Sequence, residues 1–206
     1  MERVAGGLNA LSRRLPRPAV YAAGALPFLW LVWQTVSGGL GPDPAKVMER
    51  SLGEWALRFL LASLAVTPLR QAGVNLLKHR RALGLLAFLY AVLHLTVWLW
   101  PDMGLRWEAI WADVVKRPYI LLGVMAFLCL LPLAATSSDA AIRRMGAPAW
   151  RRLHRLAWPA LALAVLHFVI LSRVWTLELV AYAILAVILL ALRAPIPGLP
   201  AARRRI

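Results

Sequence analysis

Apolar runs of about 18 or more residues recur along most of this 206-residue chain, and runs of that length are what a helix needs to cross a bilayer. A single water-soluble core has no room for so many helices that are apolar on every side. Hydrophobic residues make up 61% of the sequence, well above the usual share for soluble domains. The reading is therefore an all-α integral membrane protein, a bundle of about six transmembrane helices forming one domain over residues 1–206. The spans are expected at about 20–36, 53–68, 82–100, 118–136, 152–171 and 176–192. Gly38-Gly39-Leu40-Gly41-Pro42-Asp43-Pro44 breaks the first run, Pro101 stops the third, and Pro118 suits a helix start. The first run lacks a small-residue cleavage site after it and reads as a retained helix.

The net charge of +15 does not point to nucleic acid, because the basic residues sit in short clusters between apolar runs rather than on one continuous face. They alternate from loop to loop. Arg13, Arg14 and Arg17 precede the first span. Arg70, Lys78, Arg80 and Arg81 follow the second, Arg143, Arg144, Arg151 and Arg152 follow the fourth, and Arg203, Arg204 and Arg205 close the chain. The other loops are poorer in charge and balanced. The positive-inside rule then puts both termini in the cytoplasm. The arginines at 143, 144, 151 and 152 also suit lipid headgroups or a phosphate-bearing cofactor. Trp33, Trp98, Trp100, Trp150 and Trp175 near span ends fit interfacial aromatic belts. Cys129 is the only cysteine, which excludes an intrachain disulfide or a cysteine-held iron–sulfur cluster.

The four histidines fall at two levels. His79 and His94 lie at the start and in the outer half of the third span, and His154 and His167 hold the same relative places on the fifth. At a rise of about 1.5 Å per residue each pair is separated by roughly 20 Å along its helix. His94 and His167 thus share an outer level, and His154 shares an inner level with His79, Arg80 and Arg81. Two histidines from two helices at one depth are what bis-imidazole ligation of a heme iron requires, and an apolar porphyrin suits the bilayer core. The alternatives are packing histidines bonded to a neighbouring helix, or proton-relay groups of a small transporter or assembly factor without heme. On an ideal helix a 13-residue spacing turns His167 about 140° from His154, so Pro159 between them is expected to kink or rephase the helix. Arg80 and His94 share a face. Arg58, near the outer level, is placed either to meet a heme propionate or to pair with Glu54 one turn away. The chain has no Gly-rich dinucleotide motif and no Walker loop, so electrons must come from a lipid-soluble carrier or another protein.

Several local motifs carry a resemblance across nearly the whole chain. They are Leu26-Pro27-Phe28-Leu29-Trp30-Leu31-Val32-Trp33, the loop Gly38-Gly39-Leu40-Gly41 with Asp43-Pro44, Thr67-Pro68-Leu69, Leu93-His94-Leu95, Arg117-Pro118-Tyr119, and Trp150 followed by Leu153-His154. In this order and spacing the sequence resembles the ferric reductase-like transmembrane family. The resemblance implies heme b, with His94 and His167 as axial ligands of an outer heme. The broader family has two histidines on each of two helices. Here the inner position of the third span falls at Arg80, so the site with His154 holds either a second heme with an unusual ligand or none, or serves as a flavin or quinone contact. Members of this kind work in the bacterial inner membrane. They take electrons from quinol or a cytoplasmic flavin reductase and pass them to a periplasmic molybdopterin-containing catalytic subunit, which reduces methionine sulfoxide in oxidised proteins. The resemblance also implies bound FMN. A cytochrome b561-like or ferric-reductase protein reducing a small acceptor is the nearest rival.

Overall fold

Backbone amides in hydrocarbon find no water to bond, so each apolar run must satisfy its own polar groups, and an α-helix does so within the segment. The computed structural model describes residues 2–193, and all regular structure among them is helical. The elements are α1 (Glu2–Arg14), α2 (Arg17–Val36), α3 (Pro44–Gln71), α4 (Leu77–Val97) continued by a π turn (Trp98–Asp102), α5 (Trp107–Lys116) and α6 (Pro118–Ala135). They are followed by α7 (Asp139–Met145), α8 (Ala147–Leu153), a 3-10 turn (His154–Leu156), α9 (Ala157–Leu171) and α10 (Leu177–Ala191). Five helices are long and apolar enough to cross a membrane: α2, α3, α4 with its π turn, α6, and the stretch Ala147–Leu171. The chain is a multi-pass membrane protein. Its sixth apolar helix, α10, has 15 residues, about 22 Å by helix geometry, and is shorter than the expected span.

Two antiparallel pairs, α3 with α4 and α6 with α9, form the frame. One core runs through both pairs. It joins Leu57, Leu60, Leu61 and Leu64 of α3 to Ala87 of α4, Leu130 and Leu133 of α6, Ala160 and Leu161 of α9, and Ala186 and Leu189 of α10. Large apolar side chains elsewhere point outward: Leu26, Trp30, Leu128 and Val187 are each more than half exposed. Bare apolar surface of this kind on helix after helix is a face for lipid, not water.

α2 is tied to the frame by one hydroxyl. Tyr90 of α4 is fully buried, takes the Phe28 N–H at 3.0 Å and gives its own proton to the Gly24 carbonyl at 2.7 Å. Gly24 and Phe28 are four apart, so the tyrosine stands where an intrahelical bond would close and both groups stay paired. Gly24 also lets Leu86 lie against the α2 backbone, since a Cβ there would fall 2.4 Å from a leucine methyl.

Element ends differ from the sequence expectation for physical reasons. α3 starts at Pro44 rather than near 53, because Asp43 caps the Lys46 amide at 3.2 Å and Pro44 is suited to the first helical position. Its first turns are charged, so hydropathy alone leaves them out. α4 does not stop at Pro101 but widens into the π turn around it. The basic N-terminal arm is helical: Asn9 donates to the Gly73 carbonyl and accepts from the Asn75 amide, clamping α1 onto the α3–α4 turn. α5 was not expected either. It buries Ile110 and exposes Trp107, Trp111 and Val115 along one face, the pattern of a helix lying in a membrane interface. The tail arginines Arg203, Arg204 and Arg205 lie outside the described residues.

Candidate functional site

α4 and α9 bring His94 and His167 together with ring centres 6.3 Å apart and ring planes at 75°. Each imidazole is half-buried and leans on a neighbouring helix. His94 Nδ1 donates to the Glu49 carbonyl of α3 at 2.8 Å, and His167 Nδ1 donates to the Tyr119 carbonyl of α6 at 2.6 Å. A carbonyl only accepts, so Nδ1 carries the proton in both rings and Nε2 keeps its lone pair. Neither Nε2 has a hydrogen-bond partner among the described residues. Hydrogen bonds of this type orient metal-binding histidines and raise their basicity.

The pair fits a tetrapyrrole iron. An imidazole nitrogen binds a transition metal at about 2.0 Å, so two imidazoles on opposite sides of one metal have ring centres roughly 6 Å apart. The observed 6.3 Å matches that separation. No cluster of three or more His, Cys, Asp or Glu side chains is present among the described residues. Two imidazoles therefore suit a metal whose remaining ligands come with it, as the four pyrrole nitrogens do.

The inner level is built differently. The 3-10 turn at His154–Leu156 separates α8 from α9, and Pro159, the third residue of α9, has no N–H to give to the carbonyl of residue 155. The turn therefore interrupts the α-helix between His154 and His167. His154 stacks on Trp150 at 3.8 Å between ring centres, and Trp150 Nε1 donates to the Thr136 carbonyl at 2.9 Å. The Thr136 hydroxyl gives its proton to the Pro132 carbonyl at 2.6 Å, so its oxygen accepts from His154 Nε2 at 3.1 Å. The nitrogen that is free in the outer pair is thus occupied here. His79 does not join His154; it is buried under α1, with Nε2 donating to the Ser12 carbonyl at 3.2 Å and Nδ1 without a partner among the described residues.

Arg80 is half-buried and forms no ion pair among the described residues. It acts electrostatically on Arg193, at the end of α10, whose guanidinium is pushed below its ordinary pKa first by burial and then by the Arg80 charge. Arg193 lies over the Trp158 ring at 4.6 Å. The Arg80 charge thus bears on both Arg193 and His154. Arg81 pairs with Asp139 instead. Arg143, Arg144, Arg151 and Arg152 are exposed on α7 and α8.

Arg58 forms the ion pair that was the alternative to its propionate role. Its guanidinium bonds Glu54 at 3.3 Å, Glu178 at 3.2 Å and the Tyr182 hydroxyl at 2.6 Å, bracing α3 against α10. Sequence reasoning missed Glu49 and Tyr119, which act through backbone carbonyls that no side-chain pattern reveals. It also missed Thr136, whose only signal is a hydroxyl at the end of an apolar run.

The model of the family described as ferric reductase like transmembrane component matches residues 52–165, a segment that contains His94 and His154 and ends just before His167. Proteins from Brucella ovis, Brucella canis and Brucella suis, each named protein-methionine-sulfoxide reductase heme-binding subunit MsrQ, are 41% identical to this chain over 213 residues, covering 98% of it and 96% of each relative. No solved structure matches the chain. A match over more than half the sequence, with relatives of this identity along nearly all of it, establishes that the chain belongs to the ferric reductase-like transmembrane family.

Proposed function

We propose that this protein is the heme b-carrying electron-transfer subunit of a methionine-sulfoxide reductase system in the bacterial inner membrane. The observation that carries the reading is the outer pair: two imidazoles 6.3 Å apart, each with Nδ1–H given to a carbonyl and Nε2 left unpaired. His94 and His167 are the axial ligands in this reading. A heme held there supplies a one-electron iron couple in an apolar setting. The chain's own part is to fix both ring orientations, keep Nε2 unprotonated and exclude water with α3, α4, α6 and α9. The name of the relatives, heme-binding subunit of a methionine-sulfoxide reductase, supports the same assignment.

The basic loops set the direction. The Arg-rich end, with Arg80 and His154, faces the cytoplasm in this reading, and both termini lie there. Electrons enter from quinol or a cytoplasmic flavin reductase. They leave near the His94–His167 level to a periplasmic molybdopterin-containing catalytic subunit, where oxidised methionine is reduced. The positive cluster of Arg80 and Arg193 suits the phosphate of FMN or another anionic group at the entry side. His154 contacts that group or serves as an inner ligand.

The test is the dithionite-reduced minus oxidised visible spectrum of detergent-purified protein beside His94→Ala and His167→Ala. A sharp b-type α band lost in either variant is the expected result. A colourless protein from heme-replete cells overturns the reading.

A further inference from the structure

We infer that Gly53 and Gly123 are positioning residues for the outer histidine pair, two copies of one seat in which a helix carbonyl takes the imidazole proton and a glycine one turn later makes room for the ring. The inference rests on the reading of His94 and His167 as metal ligands. In the first seat His94 Nδ1 bonds the Glu49 carbonyl, and Gly53 is four residues on. In the second His167 Nδ1 bonds the Tyr119 carbonyl, and Gly123 is four residues on.

The spacing has a cause. In an α-helix the carbonyl of residue i accepts from the amide of residue i+4, and the side chain at i+4 leans back over that same carbonyl. A donor that approaches the second lone pair from the side of residue i+4 needs the space that this side chain would take. A Cβ at position 53 would sit 3.0 Å from His94 Nδ1 and 3.2 Å from Cε1. A Cβ at position 123 would sit 3.0 Å from His167 Nδ1 and 3.1 Å from Cε1. Both contacts are tighter than ordinary packing, so each ring would have to give by a few tenths of an ångström, which strains its bond to the carbonyl. At Gly84, inside α4, the same spacing is looser: Ser63 Oγ donates to the Arg80 carbonyl four residues before it at 3.3 Å, and a Cβ at 84 would meet that oxygen at 3.5 Å, an ordinary contact.

The seat is repeated between the helix pairs, α4 leaning on α3 and α9 leaning on α6. The repeat is invisible in side-chain identity because Glu49 and Tyr119 use only their backbone. What the two seats set together is the 75° angle between ring planes and the choice of Nε2 as the free nitrogen.

The experiment uses heme-loaded full-length protein carrying Gly53→Ala, Gly123→Ala or, as control, Gly84→Ala. Heme-to-protein ratio, midpoint potential and the electron paramagnetic resonance of the ferric state are read. In the first two variants heme affinity is expected to fall roughly tenfold or more. Heme that is retained should have a higher midpoint potential, because an imidazole that loses its Nδ1–H bond donates less to the iron. The control should match wild type. The ferric wild type should give the strongly anisotropic low-spin signal of near-perpendicular imidazoles. Wild-type affinity, potential and resonance in both alanine variants overturn the inference, while His94→Ala and His167→Ala still abolishing the band leave the ligand assignment standing. If an alanine variant fails to accumulate, the wild-type resonance decides: the rhombic signal of parallel ring planes means the rings are not in these seats.

Discussion

The two ends of the bundle use the same residue type to opposite effect. At the outer level His94 and His167 give Nδ1–H to helix carbonyls and leave Nε2 free. At the inner level His154 gives Nε2–H to Thr136 and is stacked under Trp150. On the proposed reading the difference lies in which nitrogen is engaged, not in depth. A carbonyl reached through Nδ1 leaves Nε2 open to a metal, and a hydroxyl reached through Nε2 occupies the nitrogen that projects furthest from the helix.

The contrast breaks first on heme content. His167→Ala is expected to lower bound heme roughly tenfold or more, because one of the two imidazoles that would hold the iron is gone. His154→Ala should keep most of the b-type α band at its wild-type wavelength. Heme quantification of the two purified variants checks this. Equal losses would mean that His154 also holds iron, and that the Thr136 bond gives way when heme enters.

A smaller effect sharpens the outer side. Tyr90 lies one turn before His94 on α4 and carries both the Phe28 amide and the Gly24 carbonyl. Tyr90→Phe removes a buried hydroxyl that makes both bonds and leaves Gly24 and Phe28 only each other, a cost of about 0.5–1.5 kcal/mol per lost bond. The expected result is a lower thermal unfolding midpoint in detergent with an unchanged α band, because the ring seats on α3 and α6 are untouched. Loss of heme in this variant would show that the outer level depends on α2 as well as on the two helix pairs.

How much of this was legible depends on where the information lies. The two-level placement of the histidines could be read because ionisable groups stand out in apolar runs and helical rise is regular. His94 and His167 do meet. The pairing of His79 with the inner level could not be read, since it is α1, a helix with no transmembrane signal, that captures His79 at Ser12. Ideal-helix counting from His154 to His167 does not apply, because a 3-10 turn at His154–Leu156 interrupts the helix between them. Arg58 was left between two roles because Glu54 is near in sequence, whereas Glu178 and Tyr182, which fix it, come from α10. The carbonyl acceptors were illegible in principle, because every residue has one.

The smallest effect belongs to the inner end and tests whether its charges act together. Arg81 holds the Asp139 carboxyl below the ordinary carboxylate range, first by their hydrogen bond and then by its charge. A carboxyl with a lowered folded-state pKa adds stability that is complete above its ordinary range and is lost as pH falls through the lowered value. Both side chains are well exposed, so solvent and salt screen the pair. Asp139→Asn should therefore leave the unfolding midpoint at neutral pH unchanged within error, and any small difference should vanish at high salt or at acid pH. A clear drop that persists in salt would mean that Asp139 also offsets Arg80 and Arg193 at longer range. The inner end would then be a coupled charge network rather than an open anion seat, and its difference from the outer end would lie in electrostatics as well as in histidine geometry.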